Sequence, residues 1–203
     1  MLEFLSKGGI LVIPILFCSV LVLAIFCERI IQYAINRSRG KDIEHKVATL
    51  VAQGDIQGAL RLSQQNNSPM GRVLAKAIGA KDLKTRMLES VIANAVENEV
   101  RALSAYLQTL ATIGNIAPLL GLLGTIIGMI KAFMVIQQMG GKVNAAVLAG
   151  GIWEAMLTTA LGLAVALPTM VAHSYLIAKV DTYEARLQDG CVAFLKVVAK
   201  RPL

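Results

Sequence analysis

Four side chains in this 203-residue sequence combine types and spacing suited to moving an ion through an apolar setting: Glu154, Thr158, Thr159 and, in an earlier apolar run, Thr125. Glu154 is the one formally charged residue between Lys142 and Lys179, inside VNAAVLAGGIWEAMLTTALGLAVALPTMVAHSYLIA. A helix through that stretch carries a carboxyl group into lipid. Ionising it at the bilayer centre costs roughly 2.5–3.5 kcal/mol, so such acids face a protein interior or a water path. Desolvation favours the neutral form, and a carboxyl that holds or releases a proton at that depth is a candidate ion carrier. The competing reading is a structural acid paired with a backbone group or a neighbouring chain. On an ideal helix Thr158 lies about 40° from Glu154 and Thr159 about 140° away, so geometry favours Thr158 as its neighbour. Thr125 is either a pore-lining residue or a hydroxyl bonded one turn back, to the Gly121 carbonyl. Trp153 reads as a packing residue or a lid, and His173 as a marker of the inner membrane surface.

Other chemistries lack their residues. Gly140-Gly141-Lys142-Val143 has neither the upstream glycine spacing of a phosphate cradle nor its Ser or Thr. His45 and His173 are far apart, and no His pair has metal-ligand spacing, so neither a catalytic His–nucleophile pair nor a metal site is expected. Cys18, Cys27 and Cys191 form no CxxC pair. A formal charge of +7 has no basic run with interleaved aromatics behind it, which argues against nucleic acid. The expectation is a non-enzyme without cofactors.

The elements that must position Glu154 are apolar helices. The chain is 56% hydrophobic, too apolar for an ordinary soluble domain. Spanning about 30 Å of hydrocarbon takes about 20 apolar residues. Gly8–Cys27, Ala102–Ile130 and Val143–Ala178 are long enough, with membrane lipid as their surroundings. The first is expected to be a retained anchor. Val96, Val100, Leu103, Leu107 and Leu110 form a stripe that continues in phase through Gly114, Pro118, Gly121, Thr125, Gly128 and Ala132. One continuous helix is expected from this phase. Gly121, Gly124 and Gly128 allow close helix approach in lipid, and Pro118 and Pro168 are expected to kink their spans. Leu176, Val180, Tyr183, Leu187, Phe194 and Val198 predict an amphipathic C-terminal helix.

Residues 28–111 carry 12 Lys/Arg and 8 Asp/Glu. Within them IEHKVATLVAQ and IQGALRLSQQ read as short helices, and Ser68-Pro69 as an N-cap with proline at the first helical position. Basic flanks set orientation. Arg29, Arg37, Arg39, Lys41, Arg101, Lys179 and Arg186 stand on one side against Lys7, Lys131 and Lys142 on the other. That puts the N-terminus in the periplasm and the C-terminus in the cytoplasm. The expected organisation is an outer N-terminus and first transmembrane helix (1–27), a cytoplasmic helical region (28–111), a second transmembrane helix (112–131), a short periplasmic connection (132–145), a third transmembrane helix (146–177) and a cytoplasmic C-terminal helix (178–203). The fold class is an all-α membrane protein with three transmembrane helices and long helical extensions.

The runs IGNIAPLLGLLGTIIGMIKAF and GGIWEAMLTTALGLAVALPT, starting at Ile113 and Gly150, resemble the two hallmark segments of the ExbB/TolQ/MotA proton-channel family. Three spans match its ExbB/TolQ branch, and GDIQGALRLSQQNNSPMGRVLAKAI is similar to that branch's cytoplasmic pattern. The resemblance implies a pentameric ring enclosing the helices of an ExbD/TolR-like single-span partner, whose aspartate shares in ion passage. It implies an inner-membrane motor subunit whose proton flow energises a TonB- or TolA-like protein acting on the outer membrane. By position, Glu154 matches the family's third-span glutamate, Thr125 its second-span threonine and Thr159 the threonine after the glutamate. The resemblance thus prefers Thr159 where simple geometry prefers Thr158, and both stand as candidates. A membrane scaffold without conduction and a flagellar-stator-like subunit are the alternatives.

Overall fold

The computed structural model describes residues 10–39, 42–138 and 145–200. Seven helices make up almost all of this: α1 (Val12–Arg39), α2 (Ile43–Gln53), α3 (Ile56–Gln65), α4 (Pro69–Gly79), α5 (Thr85–Leu103), α6 (Leu107–Gln138) and α7 (Ala145–Lys200). No strand occurs among the described residues. Three stretches are long and apolar enough to cross a membrane: Val12–Asn36, Leu107–Gln138 and Leu148–Ala199. Contacts divide the chain into two units, residues 1–27 with 106–175 and residues 28–105 with 176–203.

The second unit holds a conventional apolar core. Ile43, Val47, Ala59, Val73, Leu74, Ile92, Leu187 and Phe194 are among its buried members. Short helices fill it because each has its own start and stop. Gly54, at φ 89°, ends α2 in a left-handed turn that costs a side-chain-bearing residue strain. The Asp55 carboxylate accepts from the Gly58 N–H at 2.8 Å and starts α3. Ser68 and Pro69 start α4 as the sequence indicates, with Ser68 Oγ accepting from the Gly71 N–H at 3.1 Å. Ser68 is fully buried. Ser68→Ala is expected to destabilise the protein by about 1 kcal/mol, the usual cost of a lost cap, read as a lower midpoint in thermal unfolding. Among the ion pairs of this unit, one reaches a buried carboxylate: Arg72 donates to both oxygens of Glu99, at 2.8 and 2.5 Å. Those hydrogen bonds raise the Arg72 guanidinium above its usual range. The C-terminal stripe buries Leu176, Val180, Leu187 and Phe194, with Tyr183 and Val198 half-buried.

The expected single helix through Val96–Ala132 is corrected. It breaks at residues 104–106, where Tyr106 adopts a left-handed φ of 64°. The first helix supplies the reason. Tyr33 Oη donates to the Leu103 carbonyl at 2.9 Å, and Arg29 Nη1 reaches the Ala102 carbonyl at 3.4 Å. Carbonyls that would continue the helix ladder are capped by side chains instead. The apolar stripe survives the break, with Leu103, Leu107, Leu110 and Gly114 all buried.

In the first unit α6 and α7 pack along a seam of small residues. A Cβ on Gly121 would lie 3.0 Å from the Thr158 carbonyl oxygen and the Thr159 Cα. One on Gly128 would lie 3.0 Å from Ala155 Cβ, and one on Gly151 2.6 Å from Ala132 Cβ. A Cβ on Gly162 would meet the Ala117 carbonyl oxygen at 2.6 Å. These pairs run in antiparallel order, Ala117 opposite Gly162 and Ala132 opposite Gly151. Large apolar side chains point away from the seam: Leu119, Leu122, Ile126, Ile130, Met156 and Leu167 are exposed on this chain, suited to lipid or to other protein chains.

Candidate ion-transfer site

Glu154 lies on α7 one turn before Thr158, beside the α6–α7 seam. Its neighbour Ala155 packs on Gly128 and is buried, so the backbone of α7 is held close to α6 at this level. That closeness brings a cation within reach. Lys131 Nζ lies 3.2 Å from Glu154 Oε1, with the Glu154 side chain 28% and the Lys131 side chain 56% exposed. The carboxyl that is solitary along its own segment therefore has a partner from the preceding helix. Pairing removes much of the cost of carrying either charge alone into an apolar medium.

The pair opens onto a shallow recess lined by Ile10, Leu11, Gly124, Ile127 and Thr158. Thr158 is 2% exposed, and its hydroxyl donates to the Ala155 carbonyl at 2.7 Å, with the Gly121 carbonyl at 3.5 Å. Thr159 donates across the seam to the same Gly121 carbonyl at 3.0 Å. Thr125 donates to Leu122 at 2.6 Å, three residues back, and not to Gly121 as the sequence suggests. The facing Thr159 holds the Gly121 carbonyl instead. Gly124 leaves room for Thr158: a Cβ there would lie 2.2 Å from Thr158 Oγ1. No group of three or more His, Cys, Asp or Glu gathers anywhere among the described residues.

An apolar hairpin thus brings one acid, Glu154, and one base, Lys131, together beside the Thr158 hydroxyl, and comparison with known proteins decides its kinship. Residues 65–189, more than half of the chain, match the MotA/TolQ/ExbB proton channel family. The chain belongs to that family. Similar proteins include the biopolymer transport protein ExbB of Salmonella typhimurium, 31% identical over 187 residues, covering 87% of this chain and 75% of that one. The exbB1 biopolymer transport protein of Vibrio cholerae is 29% identical over 184 residues, covering 89% of this chain and 80% of that one. An ExbB-like 3 protein of Synechocystis is 30% identical over 166 residues, covering 81% and 79%. This MotA/TolQ/ExbB member is thus a membrane protein of a channel and transport family, not of an enzyme family.

Within this family member the candidate residues divide. Glu154 and Thr158 share the recess, while Thr159 and Thr125 do not line it. Gly121, Gly124 and Gly128 sit on the seam. Pro118 and Pro168 lie inside helices that continue past them, each withholding an N–H from the carbonyl four residues earlier. Lys131, an outer-flank residue by its place along the sequence, is the carboxyl's partner, which spacing along a single helix does not reveal. Lys7 and Lys142, the other outer-flank residues, lie outside the described residues, as do residues 139–144 of the 132–145 connection.

Proposed function

We propose that this chain is the ion-conducting, ring-forming subunit of an inner-membrane motor, in which proton flow past Glu154 energises a TonB- or TolA-type protein acting on the outer membrane. The observation that carries this reading is a single carboxyl group in the apolar part of α7, beside a small-residue seam and with the Thr158 hydroxyl one turn away. In this reading Glu154 takes up and gives back a proton, exchanging it with an aspartate of an ExbD/TolR-like single-span partner. Thr158, Thr159 and Thr125 act as polar stops, and Pro118 and Pro168 supply local bends. Three helices per chain do not surround a partner helix, so several copies, five by family resemblance, form the ring. The N-terminus faces the periplasm and the C-terminus the cytoplasm. The membrane potential supplies about 2.3 kcal/mol per charge per 100 mV, comparable to the burial cost of one ionised carboxyl. Single ions therefore suffice to switch the site.

The Lys131–Glu154 pair also favours a second reading, a scaffold that uses this acid for docking and conducts nothing. Co-purification with a single-span protein separates the two. Under the motor reading Glu154→Gln leaves the mixed complex assembled, with this chain in excess over its partner. A complex that falls apart on this substitution supports the scaffold and overturns the motor.

A further inference from the structure

We propose that Lys131 determines the ion specificity of the site: its ammonium group is a tethered counter-ion that holds the cation position beside Glu154 and so restricts that carboxyl to protons over sodium. This rests on the reading of Glu154 as the ion-transfer carboxyl.

The position of Lys131 follows from backbone packing. On α6 its neighbours Gly128 and Ala132 press against Ala155 and Gly151, the residues that flank Glu154 on α7. Two close contacts, one on each side of the pair, fix the separation of the helices at this level. The 3.2 Å approach of Nζ to Oε1 spans that fixed gap. In the recess, α6 contributes Lys131 as its charged group, α7 contributes Glu154, and the segment before α1 contributes the apolar Ile10 and Leu11. Thr158 adds one hydroxyl, which already donates to the Ala155 carbonyl.

Proton and sodium make different demands on this arrangement. A proton binds as a covalent O–H on one carboxylate lone pair. The carboxyl then passes from −1 to neutral, Lys131 keeps its ammonium charge, and the pair passes from net zero to +1. Sodium retains its full charge and needs several oxygen ligands around it. Beside Glu154 it would enter space held by a like charge, with the Thr158 hydroxyl as the one further side-chain oxygen in the recess. Like charges at one carboxylate repel each other. A tethered ammonium opposes any cation at the carboxylate, but it weighs most against sodium, which also needs the occupied space and oxygen ligands that the recess lacks, whereas a proton needs one lone pair. A purely structural salt bridge would affect folding and leave ion choice untouched.

The test uses the complex purified from membranes and reconstituted in vesicles, with proton flux measured at a fixed membrane potential. Sodium chloride replaces choline chloride at equal ionic strength, and uptake of radioactive sodium is followed in parallel. Flux through the wild type and Lys131→Arg is expected to be indifferent to the exchange. In Lys131→Gln, sodium is expected to lower proton flux by about tenfold, the scale of one close charge–charge interaction near a protein surface, and sodium uptake appears. Sodium-dependent flux or sodium uptake in the wild type overturns the proposal without any variant having to fold. So does a Lys131→Gln complex as indifferent to sodium as the wild type. Glu154→Gln is run beside them. If it keeps its proton flux, the assignment of Glu154 itself fails; if it is inactive while Lys131→Gln behaves as wild type, the counter-ion role alone falls.

Discussion

Vesicles carrying the Glu154→Gln complex are expected to lose proton flux by about 100-fold or more, the scale on which removing a positioned proton-transfer group acts. Glutamine keeps the length and shape of glutamate and can still accept a hydrogen bond from Lys131. It cannot gain and lose a proton in the accessible range. The α6–α7 seam next to it, Gly128 on Ala155 and Gly121 on Thr158 and Thr159, makes no use of the carboxyl. Assembly is therefore expected to persist. The loss of one partner of an ion pair carries its own cost, because Lys131 is then left without its counter-charge. At 56% exposure its side chain can turn away, which keeps that cost modest. A variant that still conducts at the wild-type rate would remove Glu154 from the ion path.

The second large effect is structural. Gly162→Val is expected to collapse both the yield of folded complex and its flux. A Cβ at this position would lie 2.6 Å from the Ala117 carbonyl oxygen and 3.1 Å from the Gly121 Cα. Both are backbone atoms, so no rotamer change relieves the clash and the helices must part. Overpacking in a tight core costs typically 1–3 kcal/mol, and a backbone-on-backbone contact belongs at the upper end. For a chain of this size that is a drop of roughly 5–10 °C in melting temperature. Parting the helices also takes the Gly121 carbonyl from the Thr159 hydroxyl, now 3.0 Å away. Gly150→Ala is the matched control, because nothing on this chain lies within 4 Å of the added atom. Equal melting temperatures for the two variants would contradict the close-packed seam.

Much of the architecture is written in local patterns. The short helices α2 and α3 follow their apolar periodicity, and α4 begins where Ser68 and Pro69 dictate. Such features depend on a few adjacent residues, so the sequence displays them. The break at residues 104–106 is different. Its cause is Tyr33 and Arg29, some seventy residues earlier, capping carbonyls that a helical stripe would otherwise use. Periodicity records which face is buried and is blind to a long-range donor that stops the ladder. Lys131 illustrates the same limit at the site. Read along the chain, it is a basic residue near the end of a span. Laid out as an antiparallel hairpin, with Gly128 opposite Ala155 and Ala132 opposite Gly151, it stands beside Glu154. Small residues on both helices carried that register, but only pairing the two stripes brings it out. The hydroxyls divide for a related reason: Thr158 and Thr159 both reach the Gly121 carbonyl, because glycine there lets one backbone approach both side chains.

Whether one carboxylic acid changes its protonation as the complex works can be observed by difference infrared spectroscopy. Membranes containing the complex would be compared with and without an imposed proton gradient. The expected result is a carboxyl C=O band that rises and falls with the gradient in the wild type and is missing from Glu154→Gln. A gradient-driven band that persists unchanged in Glu154→Gln, or its absence from an actively conducting wild type, would contradict the account.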